Sequence, residues 1–247
     1  MHSKISIIMV CYNSASTIRR ALESIKIQTY KPIELIVVDG QSTDNTLSIV
    51  NEFLGIHKLV ISEKDNGIYD AMNKGVTLST GEVIFFLNSD DAFSDAKVVE
   101  DAMAMFTGNP AIDMLYGDVL MRFPDKDQYR TYKNVSKKNI LHTGICHQAV
   151  FSRKALFAEC GLFNTNYKIN ADFDWLIRVF RSSKNCRYFP RLISIFYAGG
   201  AHMNDIGFSW NERRRVQLQY DNGLSFWFGH YKVRCVYHLR RLFLDVA

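Results

Sequence analysis

The stretch Gly81–Asp91, GEVIFFLNSDD, drives a β-branched and aromatic run into two adjacent carboxylates, Asp90 and Asp91. Such a run is a buried strand, and its acids stand at its C-terminal edge, where open α/β sheets bind ligands. No Lys or Arg neighbours them in sequence, and two unpaired carboxylates side by side are costly unless a cation lies between them. Mg2+ and Mn2+ are hard cations held by one or two carboxylates plus the oxygens of a phosphorylated substrate. A divalent metal carrying a diphosphate is therefore the chemistry this pair suits. The plainer reading, a cap on the next helix, is weaker because Ser94 and Asp95 already offer that cap.

Three further clusters carry groups of the same kind. Asp39-Gly40 closes the run ELIVVDG and is placed to accept hydrogen bonds from a nucleotide base or ribose, with Tyr12 and Asn13 of the first loop beside it. Alone, these are an ordinary turn and an ordinary half-buried aromatic; a shared edge is what gives them weight. In Asp65–Gly75, DNGIYDAMNKG, a turn enters a helix bearing Asp70, Asn73 and Lys74, and a helix start offers free N–H groups to phosphate or sugar oxygens. In Asn170–Trp175, NADFDW, two acids open a helix whose apolar stripe is Phe173, Leu176, Ile177 and Phe180. Asp172 is placed to project as a general base and Asp174 to serve the helix end. His142, His147 and His202 lack i, i+4 metal spacing and read first as core or surface histidines. His202, after Gly199-Gly200, is a candidate third metal or diphosphate contact.

The elements that must position these groups alternate as βαβ units do, which predicts a parallel sheet. Strands are expected at Ile5–Val10, Glu34–Val38, Leu59–Ser62 and Glu82–Leu87. Between them lie helices from a Ser16 cap to Gln28, from Thr46 to Phe53, and a short one marked by Ile68, Ala71, Met72 and Gly75. A polar cluster follows each strand, so four loops meet on one edge. Further strands are expected near Met114–Met121, His147–Ser152, Arg187–Phe189 and Leu192–Phe196, with a helix from Phe173 to about Ser182.

At 247 residues and 47% hydrophobic content the chain can bury a substantial core. Its apolar runs are far shorter than the roughly 20 residues of a membrane helix, and Met1–Lys4 does not begin a signal peptide, so a cytoplasmic protein is expected. Five scattered cysteines without a C-x-x-C pair imply reduced thiols. Neither G-x-G-x-x-G after the first strand nor G-x-x-x-x-G-K-[ST] occurs, which removes the main support for dinucleotide-binding and P-loop readings. The formal net charge of +5 is too small an excess to favour nucleic acid.

Taken together, VCYNSASTI with ALESIKIQ, ELIVVDGQSTDNT, KDNGIYDAMNKGV, GEVIFFLNSDD, HQAVFSRKALF and INADFDWLIR resemble the family 2 glycosyltransferases of the GT-A fold, most of all bacterial members that build surface polysaccharides such as O-antigen, capsule and colanic acid. The resemblance runs from about residue 4 to 200, with the motifs in family order. It implies an α/β, Rossmann-like three-layer sandwich with a mostly parallel sheet over residues 1–205, followed by a helical appendage over 206–247. It also implies inverting transfer of a sugar from a nucleotide-sugar, UDP by family habit, to a hydroxyl of a glycan or an undecaprenyl-diphosphate-linked acceptor. On that analogy Asp39 binds base or ribose, Tyr12, Asn13, Asp65 and Asn73 line the donor pocket, Asp90 and Asp91 form the Mn2+ or Mg2+ motif, and Asp172 deprotonates the acceptor. The motif commonly begins with Asp where this chain has Asn88, and GGAHMN over Gly199–Asn204 departs from Gly-Gly-x-Ser. The direct metal ligand is thus Asp91 or Asp90, with Asp91 preferred.

Arginines at 213–215, 234, 240 and 241 interleave with Phe226, Trp227, Phe228, Tyr231 and Phe243. That pattern suits either an interfacial helix on the inner face of the cytoplasmic membrane or a helix packed on the catalytic domain. Two other functions compete. A sugar-1-phosphate nucleotidyltransferase normally has a Gly-rich basic loop after strand one, and Cys11–Ser16 contains neither Gly nor Lys. A non-catalytic nucleotide-sugar-binding scaffold is disfavoured by the presence of Asp39, Asp90, Asp91 and Asp172 together.

Overall fold

The computed structural model describes residues 3–197 and 206–221. Strand β1 (Ile5–Cys11) is buried along its whole length, so it must be covered on both faces. Period-two alternation then sorts its side chains. Ile5, Ile7 and Met9 enter one apolar layer with α1 (Ile18–Lys26), α2 (Thr46–Glu52) and α4 (Val98–Gly108). Ile8 and Val10 enter the other with α3 (Ile68–Leu78), α6 (Ala155–Glu159) and α7 (Ala171–Arg181). This is the expected three-layer sandwich.

Strands β2 (Ile33–Asp39), β3 (His57–Ser62) and β4 (Val83–Phe86) join β1 in a parallel ladder ordered β3-β2-β1-β4. Their C-terminal ends therefore open on one edge, as the four polar clusters required. Beyond β4 the sheet continues through β8 (Val150–Arg153), β6 (Met114–Arg122), β9 (Cys186–Tyr197) and β5 (Ala92–Phe93). There β8 is antiparallel to both neighbours, while β6 and β9 run parallel. The exposed β7 (Asp127–Arg130) folds back antiparallel on β6.

Several local expectations change for identifiable reasons. Helix α1 starts at Ile18, and the carbonyl of Ser14, not the Ser16 side chain, receives the N–H groups of Thr17 and Ile18. The two strands expected on either side of Pro190 are one strand of 12 residues. Pro190 falls where the β6–β9 register shifts, opposite Gly117, and a Cβ at Gly117 would come within 2.6 Å of the Arg191 carbonyl. The strand expected from His147 begins at Val150, because His147–Ala149 forms a 3-10 turn. Gly75 sets the depth of α3: a Cβ there would meet Cγ2 of Ile8 at 2.4 Å, so only glycine lets the helix lie this close to β1.

Helix α5 (Ile140–Thr143) and helix α8 (Ile206–Tyr220) complete the described fold. The segment expected as an appendage thus opens, in α8, with a helix packed into the catalytic domain. Val216 is fully buried, Gln217 donates to the Leu141 carbonyl at 2.7 Å, and the Tyr220 hydroxyl donates to Asp174 at 2.7 Å. Among the described residues no helix is long and apolar enough to cross a membrane. Cys11, Cys146, Cys160 and Cys186 are free thiols.

Candidate active site

Asp172 stands in the first turn of α7, above the buried Phe173 and Leu176 that seat the helix. Its Oδ2 lies 2.9 Å from Nδ1 of His147, and its Oδ1 accepts from the Tyr69 hydroxyl at 2.8 Å and from the Phe173 N–H at 2.8 Å. Burial opposes ionisation, yet the bonds from His147 and Tyr69 prevail and hold Asp172 below the usual carboxylate range. An ionised carboxylate only accepts, so Nδ1 of His147 carries the proton and Nε2 turns toward Asn88 Oδ1, 3.4 Å away. Tyr69 shares its single proton between Asp172 and the Ile169 carbonyl at 2.6 Å. Burial, then the Asp172 charge, push its pKa well above the ordinary value, which keeps it a neutral donor.

The acidic pair begins two residues beyond Asn88. Gln148 Nε2 donates to Asp91 Oδ2 at 3.0 Å and the Tyr197 N–H to Oδ1 at 3.3 Å. Asp91 is completely buried, and burial followed by the Asp90 charge pushes its pKa up to about 7 despite Gln148, His147 and Tyr197. Burial raises Asp90 too, against Arg20 and His147. Arg20 fixes this loop: Nη2 donates to the Asp90 carbonyl at 2.6 Å while the guanidinium stacks 3.5 Å over the Tyr197 ring. Adjacent acids that both resist ionisation mark a site short of positive charge, and two carboxylate donors suit a hard divalent cation. The residues present therefore fit Mn2+ or Mg2+, which Asp90 and Asp91 would hold. Among the described residues no cluster of three or more His, Cys, Asp or Glu forms a complete cage. His202 lies outside the described residues.

On the nucleotide side the structure redistributes the expected roles. Asp39 is fully buried and its oxygens are taken by the Ser42 N–H at 2.9 Å, the Ser42 and Ser62 hydroxyls, and the Cys11 thiol at 3.6 Å. Its carboxylate shapes the loop Gly40–Ser42. Asn13 and Gln41 both adopt left-handed backbone, with φ of 48° and 67°. Asn13 Oδ1 accepts from the Thr43 N–H at 2.9 Å and its own N–H donates to Ser42 at 2.8 Å, so the first two loops are stitched together. Non-glycine residues in that region concentrate at functional sites. Tyr12 stands 63% exposed above them, free to stack. Asp65 lies across Gly40, where a Cβ would come 2.7 Å from its Oδ2. The Asn73 amide exchanges hydrogen bonds with the Phe163 backbone, at 2.9 and 3.0 Å, and so clamps α3.

Helix α8 fixes the entry to α7. The buried Glu212 accepts from three successive backbone N–H groups, Lys168 and Ile169 at 2.7 Å and Asn170 at 2.8 Å. Without it those donors are stranded in a dry site, at about 1–3 kcal/mol each before water enters. Glu212→Ala is expected to lose about 3 kcal/mol of stability, measured as a lower urea midpoint at unchanged m. Asp174, read as serving the helix end, pairs with Arg178 at 3.0 Å and receives Tyr220.

Sequence reasoning brought Asp172, Asp90 and Asp91 to one edge but missed His147, Tyr69, Arg20 and Glu212. In the adjacent pair His147-Gln148 one residue binds Asp172 and the next binds Asp91. His147 is 25 positions from Asp172 and 59 from Asn88, so only the fold reveals its partners.

The family model described as glycosyl transferase family 2 matches residues 6–157. The "PGL/p-HBAD biosynthesis glycosyltransferase" of Mycobacterium bovis is 36% identical over 208 residues, covering 81% of this chain and 79% of that protein. An uncharacterized glycosyltransferase of Mycobacterium tuberculosis is 30% identical, covering 70% of this chain and 68% of that one. Among solved structures, S. aureus TarS 1-349 in complex with UDP-GlcNAc superposes with a TM-score of 0.73 at 21% identity, over 87% of this chain and 65% of that one. This chain spans only 39% of the longer TarS chain. The mannosyltransferase PcManGT from Pyrobaculum calidifontis, in complex with GDP-Man and Mn2+, gives 0.64 at 18% identity, over 87% of this chain and 61% of that one. These likenesses, with the sandwich and its acid-lined edge, show that the chain belongs to glycosyl transferase family 2 and has the GT-A fold.

Proposed function

We propose that this glycosyltransferase moves a sugar from a nucleotide-sugar to a hydroxyl of a growing, lipid-linked bacterial surface glycan, with inversion at the anomeric carbon. The observation that carries the reading is Asp172, ionised and aimed by His147 and Tyr69, next to the cation-seeking pair Asp90 and Asp91. Asp172 takes the proton of the acceptor hydroxyl as its oxygen bonds to the anomeric carbon, and the bond to the nucleoside diphosphate breaks on the opposite face. Asp90 and Asp91 would hold Mn2+ or Mg2+, which when bound would supply positive charge to the departing diphosphate. The Tyr12–Asn13 and Gly40–Ser42 loops, with Asp65, form the nucleotide seat.

Solved relatives holding UDP-GlcNAc or GDP-Man with Mn2+ support a nucleotide-sugar and a metal. The basic and aromatic C-terminal sequence supports a peripheral position at the inner membrane face. The test is nucleoside diphosphate release from a panel of sugar nucleotides, with Mn2+ or Mg2+ and lipid-linked acceptors. Release that needs both metal and acceptor supports the reading. Donor binding without any release would make this a nucleotide-sugar-binding protein.

A further inference from the structure

Arg213 of α8 is not used by the chemistry above. Its guanidinium lies 3.8 Å over the Phe173 ring, immediately after Asp172, and a Cβ at Gly144 would come 2.8 Å from its Nη2. Gly144 has φ of +69°, so a glycine is needed there on backbone grounds as well. Among the described residues no carboxylate lies within ion-pair distance of Arg213. Neighbouring Glu212 is consumed by backbone N–H groups, and Asp172, whose charge reaches Arg213, is already held by His147 and Tyr69. A second cation, Arg130 on β7, is near enough to oppose its charge. Burial, helped by Arg130 and opposed by the Asp172 charge, lowers the Arg213 pKa to about 10, the direction expected of a desolvated cation short of an anion.

The position decides which anion. Arg213 stacks on the residue that follows Asp172, and Asp172 is the carboxylate whose charge acts on it most. In an inverting displacement the base marks the acceptor side and the metal pair marks the leaving diphosphate. We propose that Arg213, backed by Arg130, seats a phosphate or phosphate-ester group of the acceptor on the Asp172 side of the site. The proposal rests on the transferase reading for the word acceptor; the anion seat itself does not. A planar guanidinium fork held by an aromatic face is suited to bidentate phosphate binding.

The test is titration calorimetry of the full chain with inorganic phosphate in excess Mg2+, with and without the nucleoside diphosphate that the donor panel selects. Wild type is expected to bind phosphate in both conditions. Arg213→Gln should weaken that binding about tenfold or more, Arg130→Gln less, and neither should alter nucleoside diphosphate affinity. Should Arg213→Gln fail to fold for want of stacking on Phe173, Arg213→Lys keeps a cation but loses the fork and should still weaken phosphate measurably. Competition by farnesyl monophosphate against glucose 1-phosphate separates a prenyl-linked source from a phosphorylated glycan. No phosphate binding by wild type, equal binding by the Arg213 variants, or displacement of phosphate by nucleoside diphosphate would overturn the proposal. Absence of nucleoside diphosphate binding alone would instead count against the donor reading.

Discussion

Asp172→Asn is expected to lower kcat by about 10²–10⁴-fold while leaving the donor KM nearly unchanged. The amide has the carboxylate's shape and can still accept from Tyr69, but it cannot take a proton at neutral pH. A structural role alone would instead show as lost stability or weaker donor binding. The pH profile adds a second signature. Folding places Asp172 below the usual carboxylate range, so its base form is present above that range and is lost only as pH falls through the depressed value. Activity should therefore not be limited by Asp172 near neutrality. His147→Gln removes the largest interaction opposing burial, so the acidic limb of kcat/KM should move to higher pH. An unmoved limb would show that His147 merely fills space.

Asp91→Asn is expected to weaken Mn2+ binding by more than about 100-fold, since even outer-shell losses cost about 10–100-fold in metal affinity. The proton is the competitor. In the metal-free protein burial and Asp90 raise Asp91 to about 7, so below that pH a proton occupies the site the cation needs. Apparent Mn2+ affinity should rise about tenfold per pH unit up to about 7 and level off above it. The stability sign follows from the raised carboxylate. Its contribution is fully present below the unfolded value near ~3.8 and is lost as pH rises through about 7. Metal-free wild type should thus lose thermal stability as pH rises from about 4 to about 7 and then level off, and Mn2+ should restore it, while Asp91→Asn shows neither effect. Melting curves at several pH values, with and without Mn2+, decide the matter.

The parallel half of the fold was legible because its signals are local. Each buried run, such as Ile5–Val10 or Val83–Leu87, ends in a polar cluster, and parallel pairing sends every such end to one edge. The acids followed from the same logic. The two-residue β5 and the fully exposed β7 carry no apolar period and left no trace. Pro190 broke one strand into two on paper because its missing N–H matters only if the register is continuous, and here it shifts. For Asn73 and Asp39, residue type and edge position were legible, but their bonds to the Phe163 backbone and to the Ser42 and Ser62 hydroxyls were not, because those partners are set by the fold. Glu212 could not be placed from sequence, since its three N–H partners lie more than 40 residues earlier.

The most direct measurement is the anomeric configuration of the first product, read by proton NMR before any equilibration. A single displacement with Asp172 as base predicts the configuration opposite to that of the donor sugar. Retention would require a second displacement, or attack from the leaving-group face, and would contradict the role assigned to Asp172.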